Sequence, residues 1–259
     1  MPESSALQES IQHHLQFLYP QENHLQLLKQ IAAIFADYQK PASPNEIWSE
    51  QDALLISYGD TLLREGERPL ETLQHFLKEK VGQTISSVHI LPFSPFSSDD
   101  GFSVIDYLKI NPKLGDWEDV AEIGKEHRLM ADLVINHTSA ESEWFQNYLA
   151  GKSPGKGYFI EVDEGVDLTE VVRPRASPLL RHVETPEGPK SVWCTFSHDQ
   201  IDLNFRNPEV LYEFLRIIRR YLEEGVQIIR LDAIGYLWKE IGTTCIHLPE
   251  THEMVRLLR

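Results

Sequence analysis

Apolar positions follow two rhythms along the chain. Over residues 5–39 the rhythm is helical. Leu27, Leu28, Ile31, Ile34 and Phe35 recur at spacings of three and four, which places them on one face of an amphipathic helix. The breaker cluster Pro-Ala-Ser-Pro-Asn at 41–45 marks a boundary. Beyond it, short apolar runs alternate with longer helical patterns. ALLISY (53–58), SVHILPF (87–93), LMADLVIN (129–136) and the start of VQIIRLDAIGY (226–236) read as strands. LETLQHFLKEKV (70–81), WEDVAEIGKEH (117–127) and PEVLYEFLRIIRRYLEEG (208–225) read as helices, the last stopping where Gly225 supplies a C-terminal cap. PETHEMVRLLR (249–259) opens another, with Pro and Glu at its start. Strand followed by helix, repeated, predicts an α/β fold with a parallel sheet. Four such steps are visible, at 53–81, 87–127, 129–225 and 226–259. The third is interrupted by a polar, turn-rich insertion at about 138–200, a length that points to a functional segment or a small subdomain.

Composition narrows the functional classes. The chain has 259 residues, with 24 Lys and Arg against 40 Asp and Glu, a formal charge of −16. A general nucleic-acid binder needs cations for phosphates, and an anionic membrane repels such a surface. No run of 18 apolar residues predicts a membrane span, and the N-terminus has no basic region leading into an apolar stretch. Cys194 and Cys245 allow one bridge at most and lack metal-ligand spacing, so a reduced, cytoplasmic protein is expected.

In parallel α/β proteins the reactive groups gather at the C-terminal ends of strands. Here those ends carry Tyr58-Gly59-Asp60, the segment Ser97 to Phe102, Asn136-His137 and Arg230-Leu231-Asp232. Together they point to one polar pocket. Strand periodicity puts Arg230 and Asp232 on one face. A carboxylate beside a guanidinium stays ionised, which suits a nucleophile and equally a structural ion pair. Asp99 and Asp100 lie in a Ser/Asp/Gly loop that turn chemistry alone would explain. His137 could be architecture or a ligand, and Asp132 stands at the other side of the same apolar run. Phe102, Trp193, Tyr236 and Trp238 could serve as core or as sugar-stacking surfaces.

The residues DLVINH (132–137), QIDLNFRNPEV (200–210) and IIRLDAIGY (228–236) resemble, in order, signature segments of the α-amylase family, glycoside hydrolase family 13. HILPF (89–93), DDGFSVIDY (99–107), RPR (173–175), TFSHDQIDLNF (195–205) and GTTCIHLPETH (242–252) resemble its sucrose phosphorylase subfamily. The N-terminal extension, SEWFQNYL (142–149) and RPRASPLL (173–180) look most like the glucosylglycerate phosphorylase branch. The resemblance implies the N-terminal part of a (β/α)8 TIM barrel. It divides the chain into a helical extension (1–45), a partial barrel (46–137 and 201–259) and an inserted B domain (138–200). It implies a retaining double displacement on an α-glucoside such as glucosylglycerate or sucrose, with phosphate as the incoming nucleophile and glucose 1-phosphate as product. By the same resemblance Asp232 is the nucleophile and Arg230 orients it. Asp99 and His137 hold glucose hydroxyls, Phe102 is an aromatic wall, and Gln200 lies on the acceptor side. Tyr236 joins the substrate-binding set, and Arg175 holds phosphate. An arginine fork fits that last task, although Arg173 and Arg175 could equally be solvated loop charges. No cofactor is expected. In many α-amylases the asparagine matching Asn136 ligates calcium, but the phosphorylase branch implies no metal.

Retaining chemistry needs a second carboxylate, as acid and then base. The family places it, a Glu, at the end of a fifth strand, with a further Asp after a seventh. A complete barrel takes about 250 residues, yet this chain shows four strands. Glu240, Glu250 and Glu253 stand too near the fourth strand to be assigned. The sequence is therefore expected to be a fragment, inactive alone and prone to self-association through open strand edges. The same scaffold would also suit a hydrolase or transglucosidase, and a non-catalytic sugar-binding remnant is the reading from another class.

Overall fold

The computed structural model describes residues 2–39 and 49–259, so the breaker cluster at 41–45 lies outside the described residues. The chain forms two compact units.

One unit comprises Asp37–Val134 and Ile217–Asp232. Its centre is a parallel sheet of β1 (Leu54–Ser57), β2 (Ser87–Ile90), β3 (Arg128–Val134) and β8 (Val226–Asp232), in the order β1-β2-β3-β8. Each strand lies beside its predecessor in the sheet. A doubly wound sheet reverses direction at a switch point; this one does not, and sequential parallel order is the winding of a (β/α)8 barrel. The four predicted strands are thus all present and neighbours.

The sheet has two unlike faces. Val88, Ile90, Leu129, Ala131 and Leu133 share one and are buried, as are Leu70, Leu73 and Leu77 of the first crossover and Val120 and Ile123 of α4 (Trp117–Gly124). The first crossover helix, α3 (Pro69–Phe76), widens into a π-helical turn at Leu77–Val81 where a uniform helix was expected. Helix α4 starts on an Asp116 cap that accepts from Glu118 N and Asp119 N, while Asp119 accepts from Asp116 N in return. Arg68 bridges Asp116 and Asp119 at 2.6 and 2.7 Å, tying the start of α3 to that of α4. Beside Arg230 and Asp232, the other face carries Leu54, Ile56, His89, Met130 and Asp132. Ile56 is 59% exposed there. Among the described residues β1 and β8 each pair on one side only.

The second unit comprises Met1–Ala36, Ile135–Arg216 and Ala233–Arg259. The predicted N-terminal helix is split into α1 (Pro2–Leu18) and α2 (His24–Ile34). Pro20 explains the break: it lacks the N–H a helix needs and pushes Tyr19 out of helical geometry. Asn23 then caps α2 through Gln26 N. Helix α1 packs against α7 (Pro249–Leu258), where His14 Nδ1 meets Glu253 Oε1 at 2.6 Å. The Tyr19 hydroxyl donates to Phe205 O at 3.0 Å. The insertion is folded. Strand β4 (His137–Ser139) pairs antiparallel with β7 (Gln200–Asp202). Between them lie α5 (Glu143–Leu149) and a hairpin of β5 (Leu180–Thr185) and β6 (Gly188–Trp193). Helix α6 (Pro208–Glu223) has residues in both units and ends just before Gly225 of the sheet unit, whose φ of +88° is the left-handed conformation a C-cap takes.

One loop of the sheet unit is held by close packing. Asp99 and Asp100 both have positive φ, 57° and 49°, and Gly101 follows at 104°. A Cβ on Gly101 would lie 2.7 Å from Pro92 Cβ and 2.9 Å from Pro92 O, whereas one on Gly225 would meet nothing within 4 Å. Gly225→Ala should therefore cost only left-handed strain, about 1 kcal/mol. Gly101→Ala adds overpacking, for about 3 kcal/mol in all. Equilibrium denaturation of the two variants checks this, and equal losses would contradict it.

Candidate active site

The sheet unit carries a chain of four ionisable groups across three strands. Register sets it up: Asp132 on β3 stands opposite Arg230 on β8, and Val134 opposite Asp232. Arg230 Nη1 donates to Asp132 Oδ1 and, at 3.0 Å, to Asp232 Oδ1. His89 on β2 holds the other oxygen of Asp132, with Nε2 and Oδ2 2.7 Å apart. The Asp132 side chain is wholly buried and that of His89 nearly so, whereas Arg230 is 43% and Asp232 17% exposed. The chain thus runs from a buried anchor to a reachable carboxylate. Burial works against the Arg230 charge, but the hydrogen bond and field of Asp132, then those of Asp232, outweigh it and hold the pKa above its usual value. The predicted sharing of one face by Arg230 and Asp232 is met at hydrogen-bond distance. Directly after Asp232 the backbone turns at Ala233, φ 54°, a left-handed kink at a non-glycine residue.

The aromatic and acidic surroundings lie in the loop after β2. The Phe102 ring stands 6.0 Å from the Arg230 guanidinium carbon. Asp99 is exposed on a three-residue 3-10 turn, Asp99–Gly101. The loop closes on itself through Ser97 N to Ser103 O and Ile105 N to Pro95 O, and the Tyr107 hydroxyl donates to Val134 O at 2.9 Å. Tyr58, Asp60, Phe96, Asp100 and Lys113 line a cavity of about 740 Å³ in this unit. Burial, followed by the fields of Asp100, Asp132, Asp99 and Asp60, raises the Tyr58 pKa, a sign of how acidic these strand ends are.

His137, Gln200 and Tyr236 belong to the other unit. His137, on β4, is buried, and its Nε2 lies 3.2 Å from the Gln200 carboxamide. Ser197 Oγ holds that carboxamide from the other end at 2.9 Å. The Phe196 ring packs 5.2 Å from His137 and edge-on to Tyr236 at 5.4 Å. Beneath them lies a second buried ionic group. Lys239 Nζ is 2.5 Å from Asp202 Oδ2 and 2.7 Å from Asn136 Oδ1. Asp202 also accepts from Asn136 Nδ2, Thr195 N and Thr195 Oγ1. Burial pulls the Lys239 pKa below its usual value, and Asp202 opposes the fall. Among the described residues no group of three His, Cys, Asp or Glu could hold a metal. Asn136 and Asp202 already face an ammonium, so they do not present the open set of oxygens that a calcium ion takes.

Arg175 is exposed, while Arg173 reaches Thr195 O at 3.4 Å. Trp193 and Trp238 are buried and belong to the core, which leaves Phe102 and Tyr236 as the half-buried aromatics. Glu240 pairs with Arg206, and Glu253 with His14 and Arg256. Both cysteines are free and buried. Sequence reasoning did not assign His89, Phe196, Asp202 or Lys239. His89 did leave a signal, as a polar residue inside the otherwise apolar run at 88–93.

Comparison with known proteins follows the same lines. The family profile described as "Alpha amylase, catalytic domain" matches residues 77–259. A glucosylglycerate phosphorylase of Allomeiothermus silvanus is 50% identical over 98% of this chain and 45% of its own. A sucrose phosphorylase of Bifidobacterium adolescentis is 33% identical over 79% of this chain and 42% of its own. The solved sucrose 6F-phosphate phosphorylase of Thermoanaerobacter thermosaccharolyticum superposes with a TM-score of 0.73 at 32% identity, covering 81% of this chain and 45% of that one. The chain spans about half the length of these relatives or somewhat less. Parallel strands in barrel order, the signature segments and a profile match over more than half its length make this chain a member of the α-amylase family, with the N-terminal part of its TIM barrel.

Proposed function

We propose that the protein carrying this chain is a retaining α-glucoside phosphorylase whose donor is 2-O-α-glucosylglycerate, with a sucrose-like donor as the next choice. The observation that carries this reading is Asp232, partly exposed at a strand end and held by an Arg230 that the buried His89–Asp132 pair anchors. The higher identity to a glucosylglycerate phosphorylase than to a sucrose phosphorylase favours the donor.

In this reading an Asp232 oxygen attacks the anomeric carbon as the bond to the glycerate oxygen breaks. The departing oxygen takes a proton from the acid/base carboxylic acid, which becomes a carboxylate. A phosphate oxygen, deprotonated by the same group, then attacks the anomeric carbon and releases Asp232, giving glucose 1-phosphate. Asp99 and His137 hold glucose hydroxyls, Phe102 and Tyr236 wall the glucosyl group, Gln200 faces the acceptor and Arg175 takes the phosphate. No residue of this chain is assigned as acid/base, and none is assigned to a metal or cofactor. Residues 138–200 act as the inserted domain and 1–45 as a helical extension. Two free, buried cysteines fit a reducing, cytoplasmic setting. Without a second carboxylate, residues 1–259 alone are taken to be inactive.

The complete gene product, given glucosylglycerate and phosphate, should form glucose 1-phosphate, and omission of phosphate should stop cleavage. Asp232→Asn should lower kcat by about 10⁴-fold or more, as for other single losses of a catalytic nucleophile. Equal cleavage without phosphate would identify a hydrolase instead. Arg175→Ala should raise KM for phosphate about tenfold, the worth of one charge-assisted contact, and leave KM for the glucoside unchanged. A shift in the glucoside KM alone would remove Arg175 from the phosphate site.

A further inference from the structure

The loop that carries Arg175 is free at its tip and fastened at its feet. Among the described residues, Pro174, Arg175 and Ala176 make no hydrogen bond, and all three are exposed. On either side of this tip the loop is tied to residues 194–198 of the same unit. Arg173 Nη1 donates to Thr195 O at 3.4 Å, and Ser177 Oγ donates to Phe196 O at 3.3 Å. Cys194 N donates to Leu179 O at 2.8 Å. Two further contacts are reciprocal. Arg181 Nη1, on β5, donates to His198 O at 2.6 Å, and the His198 ring reaches back, its Nε2 3.1 Å from Pro178 O. A carbonyl only accepts, so Nε2 carries a proton. The Arg181 guanidinium carbon also lies 5.5 Å from the centre of the buried Phe145 ring, which steadies it.

The two sides of this clasp are unequal. The segment 195–200 has anchors of its own. Thr195 N and Oγ1 donate to the buried Asp202 at 2.7 and 2.6 Å, and Gln200 N donates to Ser197 O at 3.0 Å. Phe196 packs against His137 and Tyr236. The loop has no comparable hold. Upstream, Val172 N donates to Thr244 O at 3.0 Å, and from there to Pro178 every hydrogen bond among the described residues goes to 195–198. Releasing the clasp therefore frees the loop and leaves the segment in place. An arginine on a slack loop binds an anion only after backbone and side chain are ordered, and that entropy is lost from the affinity. A loop fastened at both feet has given up much of that freedom beforehand.

We propose that Arg181 and His198 are positioning residues that clasp the foot of the loop 173–178 and so hold Arg175 ready for phosphate. The phosphate rests on the function proposed above; the clasp does not.

The test uses the complete gene product. Arg181→Met removes the charged donor but also uncovers Phe145, and is at risk of not folding. His198→Phe keeps an exposed ring of similar size and removes only the bond to Pro178 O. Trypsin cuts after Arg175 but not after Arg173, which precedes a proline, so cleavage of the native protein between Arg175 and Ala176 reads the loop. Both variants should be cut there about tenfold faster, the worth of one hydrogen bond. In turnover both should raise KM for phosphate about tenfold and leave KM for the glucoside, and kcat at saturating phosphate, unchanged. His182→Gln, exposed on the same strand but bonded to Ser191 Oγ, should alter neither reading. Unchanged cleavage in His198→Phe, or a KM for the glucoside that rises together with that for phosphate, overturns the proposal. So does a phosphate KM unchanged in both variants when Arg175→Ala raises it. Faster cleavage with a phosphate KM indifferent even to Arg175→Ala upholds the clasp and sinks only the phosphate role of Arg175.

Discussion

The Asp132 carboxylate is the point on which the sheet unit's chemistry depends. It is wholly buried, and a buried carboxylate is tolerated only when its oxygens are met by donors or cations. His89 meets one oxygen and Arg230 the other. Those two donors come from strands on either side of β3, so the parallel register of three strands is fixed by one charge as well as by the backbone ladder. Arg230 in turn has little freedom, and the same nitrogen that holds Asp132 holds Asp232. The constraint that satisfies the buried charge therefore also fixes the guanidinium that holds Asp232. Removing Arg230 would leave the buried Asp132 carboxylate without its cation, whereas removing Asp132 would free Arg230.

The second unit uses the same physics with a different cation. Asp202 is the buried carboxylate and Lys239 the compensating charge, and Asn136 links them, donating to the first and accepting from the second. In a protein with a formal charge of −16, these few cations are where the interior tolerates negative charge. Acidity that looks like a bulk property of the composition is, at these strand ends, a set of local pairings.

Much of this was legible in the sequence. The four strands stood out because each is an apolar run between helical patterns. A period of two placed Arg230 and Asp232 on one face, and the structure joins them at 3.0 Å. The helices at 117 and 208 begin at the predicted residues. What escaped the sequence depends on separation along the chain. The His89–Asp132 contact joins residues 43 positions apart and needs the pairing of β2 with β3 to be known. The ion pair of Asp202 and Lys239 joins residues 37 positions apart (239 − 202), neither of which has a local reason to be buried. The break after Tyr19 was marked by Pro20, yet the apolar face of the following helix hid it. The β5–β6 hairpin lies in a stretch that read as polar turns, because its Pro-Glu-Gly centre outweighed two short strands.

The central claim is that Asp232 forms the covalent bond to the sugar. A slow α-glucosyl fluoride bearing a second fluorine on the ring would accumulate that intermediate in the complete gene product, and peptide mass spectrometry would locate it. One glucosyl adduct on the peptide containing Asp232, discharged by phosphate, is the result expected. An adduct on any other carboxylate, or turnover through an enzyme in which Asp232→Asn remains fully active, would contradict the account.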